Sequence, residues 1–254
     1  MALTESHLAS YQTDGFVLCR ALFDPEHMRD LAAEIDNLHE RMAEREPPEV
    51  HVSWEEGQPA GRPPRIRQLM HSQCVSPIID DISRSNEVLD IVEQMIGPDI
   101  MLFHSKLMMK SAHDGTWTAW HQDWGYWQHL SHEPTHVNCM LSIDPANESN
   151  GAVRFVPGSH KAGASDHIEV NSKSFNKALP GDLDAYDAQL IETEPGDALF
   201  FNCMVVHGSG RNDSPDHRRA NTFAFDRPGN MKADALPADY HRRGRRDADG
   251  SAAS

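Results

Sequence analysis

Ahead of residue 97 apolar residues recur every three to four positions, and beyond it the pattern alternates with a period of two. Met28, Leu31, Ile35 and Leu38 share one helical face behind Asp24-Pro25-Glu26. Asp caps such a start and Pro fits the first turn, so the spacing predicts a helix from there to about residue 43. A shorter helix is expected over Glu5–Gln12. Asp14-Gly15 then makes a turn into a strand over Phe16–Cys19. Residues 44–64 carry five Pro and two Gly among several acids and read as a long loop. Arg65–Met70 is a candidate strand, and Pro77–Ile96 reads as one or two helices ended by Gly97-Pro98.

Ile100–Lys110 and Thr116–Asp123 open the second part as strands. His136–Asp144 alternates cleanly, with Val137, Cys139, Leu141 and Ile143 on one face and Asn138, Met140 and Ser142 on the other. Ala152–Val156, Ala198–His207 and Arg219–Phe225 complete the strands. Residues 159–190 are polar and irregular, a candidate lid. Beyond Asp226 the chain is rich in Arg, Asp, Gly and Ala. The expected organisation is therefore one domain over 1–230 and a loosely ordered tail over 231–254. Helices first and short strands afterwards give an α+β class, with a sandwich or jelly roll following the N-terminal helices.

Composition narrows the function. Among 254 residues, 23 Lys and Arg face 39 Asp and Glu, a net charge of −16. Such a field repels nucleic acid and favours solubility. No run approaches the ~18 consecutive apolar residues of a membrane span. The N-terminus is polar, unlike a signal peptide, and the chain ends Ala-Ala-Ser, which is not a peroxisomal address. A cytoplasmic protein with a small-molecule partner is expected. The four cysteines, Cys19, Cys74, Cys139 and Cys203, are too widely spaced for a zinc ribbon or a redox pair.

The chemistry concentrates at Trp120-His121-Gln122-Asp123-Trp124. On a strand, residues i and i+2 share a face, so His121 and Asp123 would project together. His207, at the end of an apolar strand and before Gly208-Ser209-Gly210, is the best third ligand. Two His and one carboxylate on one face leave open positions, as in non-haem Fe(II) oxygenases. Zinc is the competitor, although a structural zinc would want more Cys or His in closed geometry. Such a triplet also arises by chance in a chain with 16 His. The second half of the pattern adds weight: Arg218 follows His207 by eleven residues. A 2-oxo acid with a distal carboxylate needs a fixed fork of donors, which Arg supplies, and Ser209 adds a hydroxyl. Arg219 should point to the opposite face of its strand.

His121-Gln122-Asp123, Pro157-Gly158-Ser159-His160-Lys161, and His207-Gly208-Ser209-Gly210 with Arg218 resemble the phytanoyl-CoA dioxygenase family. The opening Tyr11-x-x-Asp14-Gly15-Phe16-Val17 is similar too. The resemblance spans roughly residues 8–228. It implies a double-stranded β-helix (a jelly-roll, cupin-like core) with the N-terminal helices packed on one sheet. It further implies Fe(II) on His121, Asp123 and His207, with Arg218 and Ser209 on the far carboxylate of 2-oxoglutarate. Dioxygen would be consumed, an unactivated C–H of a small metabolite hydroxylated, and succinate and CO2 released. Lys106 lies where the family often contacts the co-substrate, and its pattern equally fits a lysine snorkelling from a strand. Gln122 belongs to the motif, Trp127 matches a pocket aromatic of some members, and Arg67 matches a basic residue near the co-substrate or is simply exposed. Relatives that halogenate lack the carboxylate, so Asp123 points to oxidation without halide. Desaturation, cyclisation or epimerisation with the same cofactors, a non-catalytic jelly-roll binding module, and a zinc hydrolase are the rival readings.

Overall fold

The computed structural model describes residues 2–55, 65–113, 115–170, 177–180, 186–232 and 241–244. Helix α1 (Glu5–Asp14) leads into strand β1 (Phe16–Cys19) and helix α2 (Pro25–Glu44). Gly15 joins the first two with φ of +90°, and a Cβ there would meet the His160 ring at 2.6 Å, so glycine is required twice over. Asp24 caps α2 by accepting from the Glu26 and His27 amides. Strands β2 (His51–Trp54) and β3 (Ile66–Met70) follow, then helices α3 (Pro77–Arg84) and α4 (Asn86–Ile96). The segment 44–64, expected as loop, thus contains a strand: Val52 is buried and β2 pairs antiparallel with β3.

The second part holds β4 (Ile100–Lys110), β5 (Thr118–His121), the single turn of helix α5 (Trp124–Trp127), β6 (Val137–Ser142), β7 (Val153–Phe155), β8 (Ile168–Glu169), β9 (Lys177–Ala178), β10 (Gln189–Leu190), β11 (Ala198–Asn202), β12 (His207–Ser209), β13 (Arg218–Asp226) and β14 (His241–Arg243). The large sheet runs β1-β11-β6-β13-β4-β3-β2, with β14 also on β4; the small sheet runs β10-β7-β12-β5. Among the described residues the strand pairs of both sheets are antiparallel.

The alternation in β6 and β13 sorts residues between two environments. Val137, Cys139, Leu141, Phe223 and Phe225 face Met28, Leu31, Ile35 and Leu38 of α2 and the apolar faces of α3 and α4. The opposite face of the large sheet looks at the small sheet. There Phe16, Val153, Phe155, Ile191, Leu199 and Phe201 pack together, and a cavity opens beside them between the sheets. The result is the expected jelly roll with helices on one sheet. Within the segment read as a loose tail, β14 pairs with β4, Arg242 bonds Asp80 and Ser83, and Arg243 bonds Asp90 and Glu93. No described helix is long and apolar enough to cross a membrane.

Candidate metal centre and cavity

His121 is the last residue of β5, and His207 is the first of β12, directly opposite it across the ladder. The sequence reading ran β11 through to His207. Instead the chain leaves the large sheet after Asn202, turns through Cys203–Val206 and enters the small sheet at His207. Asp123 is also not on the strand: it has helical φ and ψ (−57°, −33°) at the start of α5. The turn nevertheless carries its carboxylate back beside both rings. Asp123 Oδ1 lies 3.5 Å from His121 Nε2, and Oδ2 lies 3.9 Å from His207 Nε2. One ligand atom from each residue falls within 4.8 Å of the others.

Each imidazole is oriented by its own backbone. His121 Nδ1 bonds the Ala119 carbonyl at 2.8 Å, and His207 Nδ1 bonds the Val205 carbonyl at 3.0 Å. A carbonyl only accepts, so Nδ1 carries the proton and each Nε2 presents a lone pair to the gap. Asn138 Nδ2 donates to Asp123 Oδ2 at 2.9 Å. Burial pulls His207 down to about 3, with the His121 ring adding to it, so it stays neutral. For Asp123 burial acts in the raising direction, but His207, His121 and Lys106 overcome it and hold the carboxyl well below its usual range. Two imidazole nitrogens and one carboxylate on one side of a gap are a donor set suited to a divalent metal with open positions.

The gap opens into a cavity of about 340 Å³ between the sheets, at the small end of the usual range for ligand pockets. Its wall includes Arg218, Ser209, Lys106, Trp127 and Arg67. Arg218 is buried at the start of β13; its Nη2 donates to the Gly151 carbonyl, while its Nε has no partner. Burial lowers it to about 10. Ser209 is buried on β12 two residues past His207. Trp127 packs edge-on against the His104 ring at 5.2 Å. Lys106 is half-buried on β4 and makes no hydrogen bond or ion pair among the described residues.

Some expectations need correction. Gln122 does not face the cavity. Its Nε2 donates to the Met204 and Gly163 carbonyls at 2.7 and 3.0 Å, and its Oε1 accepts from the Ser165 amide at 2.8 Å. These bonds hold it away from the metal side, and it ties down the start of the 159–190 segment. Arg67 is buried in the wall rather than exposed. Arg219 does point away, pairing with Asp144 at 2.8 Å and with Asp36 of α2 at 2.9 Å.

Lys110 and Gly151 escaped the sequence reading. Lys110 is opposite Arg218 in the ladder and donates to the Thr116 and Gly210 carbonyls at 2.6 and 2.7 Å. Period two from Lys106 was a usable signal for it. Gly151, at φ of +77°, supplies the carbonyl that holds Arg218, and a Cβ there would meet the Gly210 carbonyl at 2.6 Å. No local pattern pointed to that carbonyl.

The phytanoyl-CoA dioxygenase family model matches residues 11–220. The chain is 29% identical over 240 residues to the ectoine dioxygenase of Bordetella parapertussis, covering 87% of this chain and 74% of that one. It is 25% identical over 243 residues to the L-proline trans-4-hydroxylase of Streptomyces griseoviridis, covering 88% and 86%. EctD from S. alaskensis in its apoform superposes with a TM-score of 0.73 at 18% identity, over 95% of this chain and 84% of that one. The chain belongs to the phytanoyl-CoA dioxygenase family and is a non-haem iron, 2-oxoglutarate-dependent dioxygenase.

Proposed function

We propose that His121, Asp123 and His207 hold the iron, that Arg218 and Ser209 receive the far carboxylate of 2-oxoglutarate, and that the enzyme hydroxylates an unactivated C–H bond of a small molecule in the cavity. The convergence of two backbone-oriented Nε2 atoms and one carboxylate within 4.8 Å supports this most strongly. The relatives named as dioxygenases and as a proline hydroxylase favour hydroxylation among the possible oxidative outcomes. Iron with 2-oxoglutarate and dioxygen supplies the oxidant, with succinate and CO2 as co-products.

The chain's own residues position and enclose. The Ala119 and Val205 carbonyls fix the imidazole tautomers, so both histidines serve as ligands rather than as proton carriers. Asn138 fixes the Asp123 carboxylate against rotation. The Gly151 carbonyl holds one arm of Arg218, and the unpartnered Nε leaves a donor for an anion. Trp127, Met140, Val153 and Phe201 give the cavity apolar walls that keep water away from the reacting carbon.

The test is succinate release with Fe(II), 2-oxoglutarate and dioxygen, with the organic product identified by mass spectrometry. The expected product carries one added oxygen atom, and Asp123→Ala abolishes its formation. A product that has lost two hydrogens, or is a stereoisomer of its substrate, would replace hydroxylation by desaturation or epimerisation.

A further inference from the structure

The cavity has more positive charge than the co-substrate needs. Given the proposed function, the divalent metal, the Asp123 carboxylate, the dianionic 2-oxoglutarate and the Arg218 guanidinium sum to zero. Lys110 is accounted for separately. Burial drives it towards neutrality, Glu55 opposes that shift, and its ammonium already bonds two carbonyls. Glu55 is itself buried and accepts from the Thr116 hydroxyl at 2.7 Å, next to the Thr116 carbonyl that Lys110 bonds. Arg67, also buried in the wall, is engaged with other groups, and Lys106 is left over. It lines the same cavity with no hydrogen bond or ion pair among the described residues.

Its place in the sheet separates it from the Arg218 end. Arg218 stands opposite Lys110, and Lys106 stands opposite Thr222, four residues further along both strands. That is about 13 Å of strand, against roughly 5 Å for the five-carbon chain of 2-oxoglutarate. Thr222 is buried, lines the cavity and brings a hydroxyl next to Lys106. Met70 flanks Lys106 on the other side, and Met108, Met140, Phe201 and Trp127 line the cavity with it. The outcome is one uncompensated ammonium and one hydroxyl set among apolar side chains in a small cavity.

We propose that Lys106, with the Thr222 hydroxyl beside it, anchors a carboxylate on the substrate, so that the molecule oxidised is a small organic acid or amino acid held through its anionic end. An ammonium in an apolar wall gains most from a ligand that cancels its charge, and the apolar neighbours then receive the hydrocarbon part that carries the reacting C–H. This assignment rests on the iron and 2-oxoglutarate reading of the same site.

The experiment uses the full chain loaded anaerobically with Fe(II) and 2-oxoglutarate. Short-chain carboxylic and amino acids, each beside its primary amide, are titrated in. Binding is read from perturbation of the visible charge-transfer band and from the melting temperature, and turnover is then read as succinate. At least one acid should bind and turn over, with its amide about a hundredfold weaker. Lys106→Met should weaken acid binding by about a hundredfold while leaving the 2-oxoglutarate affinity within about twofold, and Lys106→Arg should recover most of the loss. Amides that bind as well as their acids, or a panel in which no acid binds, would overturn the proposal. A Lys106→Met variant that loses 2-oxoglutarate affinity as well would reassign Lys106 to the co-substrate. If the wild-type protein gives no charge-transfer band at all, the iron and 2-oxoglutarate reading fails, and the substrate assignment falls with it.

Discussion

Replacing Arg218 with methionine should weaken co-substrate binding sharply without unfolding the protein. Burial lowers Arg218 to about 10 despite the opposing charge of Asp144, so keeping it charged costs about 3 kcal/mol. Against this, the bond to the Gly151 carbonyl contributes about 1.5–3 kcal/mol, as hydrogen bonds to charged groups do. The two nearly cancel. The metal-free variant should therefore melt within a few degrees of the wild type, or up to roughly 5 °C above it. Binding behaves differently. Removing one partner of a buried charge pair costs about 2–5 kcal/mol, so 2-oxoglutarate affinity should fall by about thirtyfold to several thousandfold. Calorimetric melting of the metal-free protein gives the first quantity, and anaerobic 2-oxoglutarate titration of the Fe(II)-loaded protein gives the second. A variant that melts many degrees lower yet binds 2-oxoglutarate normally would make Arg218 a structural residue and refute the reasoning.

Its neighbour supplies the opposite case: Arg219→Ala strips Asp144 of a largely buried partner and should cost about 2–3 kcal/mol in thermal unfolding, with 2-oxoglutarate affinity unchanged. Asn138→Leu removes the donor to Asp123 Oδ2 and should weaken Fe(II) binding about 10- to 100-fold, measured by competition with a chelator. His104 is lowered to about 3 by burial, with Lys106 adding to it. It stays neutral in the folded chain, whereas the unfolded chain takes up its proton near pH 6.5. Its contribution is thus present above pH 6.5 and lost as pH falls towards 3, by about 2 kcal/mol at pH 5. Melting of the metal-free protein should decline from pH 7 to pH 5, and His104→Gln should flatten that decline.

Much of the fold was legible because each element repeats one period several times. The α2 stripe of Met28, Leu31, Ile35 and Leu38 and the alternation of β6 both landed on the core as read. The metal-centre residues were legible for a partly different reason from the one that brings them together. Strand alternation was expected to align His121 with Asp123, but the strand ends at His121 and a helical turn returns the carboxylate. The break between β11 and β12 was hidden because Cys203–Val206 is as apolar as a strand interior; it is buried in the crossover between sheets. Strand β2 was masked by the prolines on either side of it. His136, at the start of the alternating run, is buried against Phe103 and Trp127 and lies 3.2 Å from Asp226. Its partner is 90 residues away, where no local pattern could show it. Trp127, expected as a pocket aromatic, does line the cavity.

The central claim is that His121, Asp123 and His207 present one iron face to a chelating 2-oxo acid. The most direct measurement is the visible spectrum of the pure protein under anaerobic conditions as Fe(II) and then 2-oxoglutarate are added. One equivalent of each should produce a weak metal-to-ligand charge-transfer band, and His207→Ala should remove it while the variant keeps its fold by circular dichroism. A band that survives in His207→Ala, or Fe(II) binding with no band on adding 2-oxoglutarate, would contradict the account.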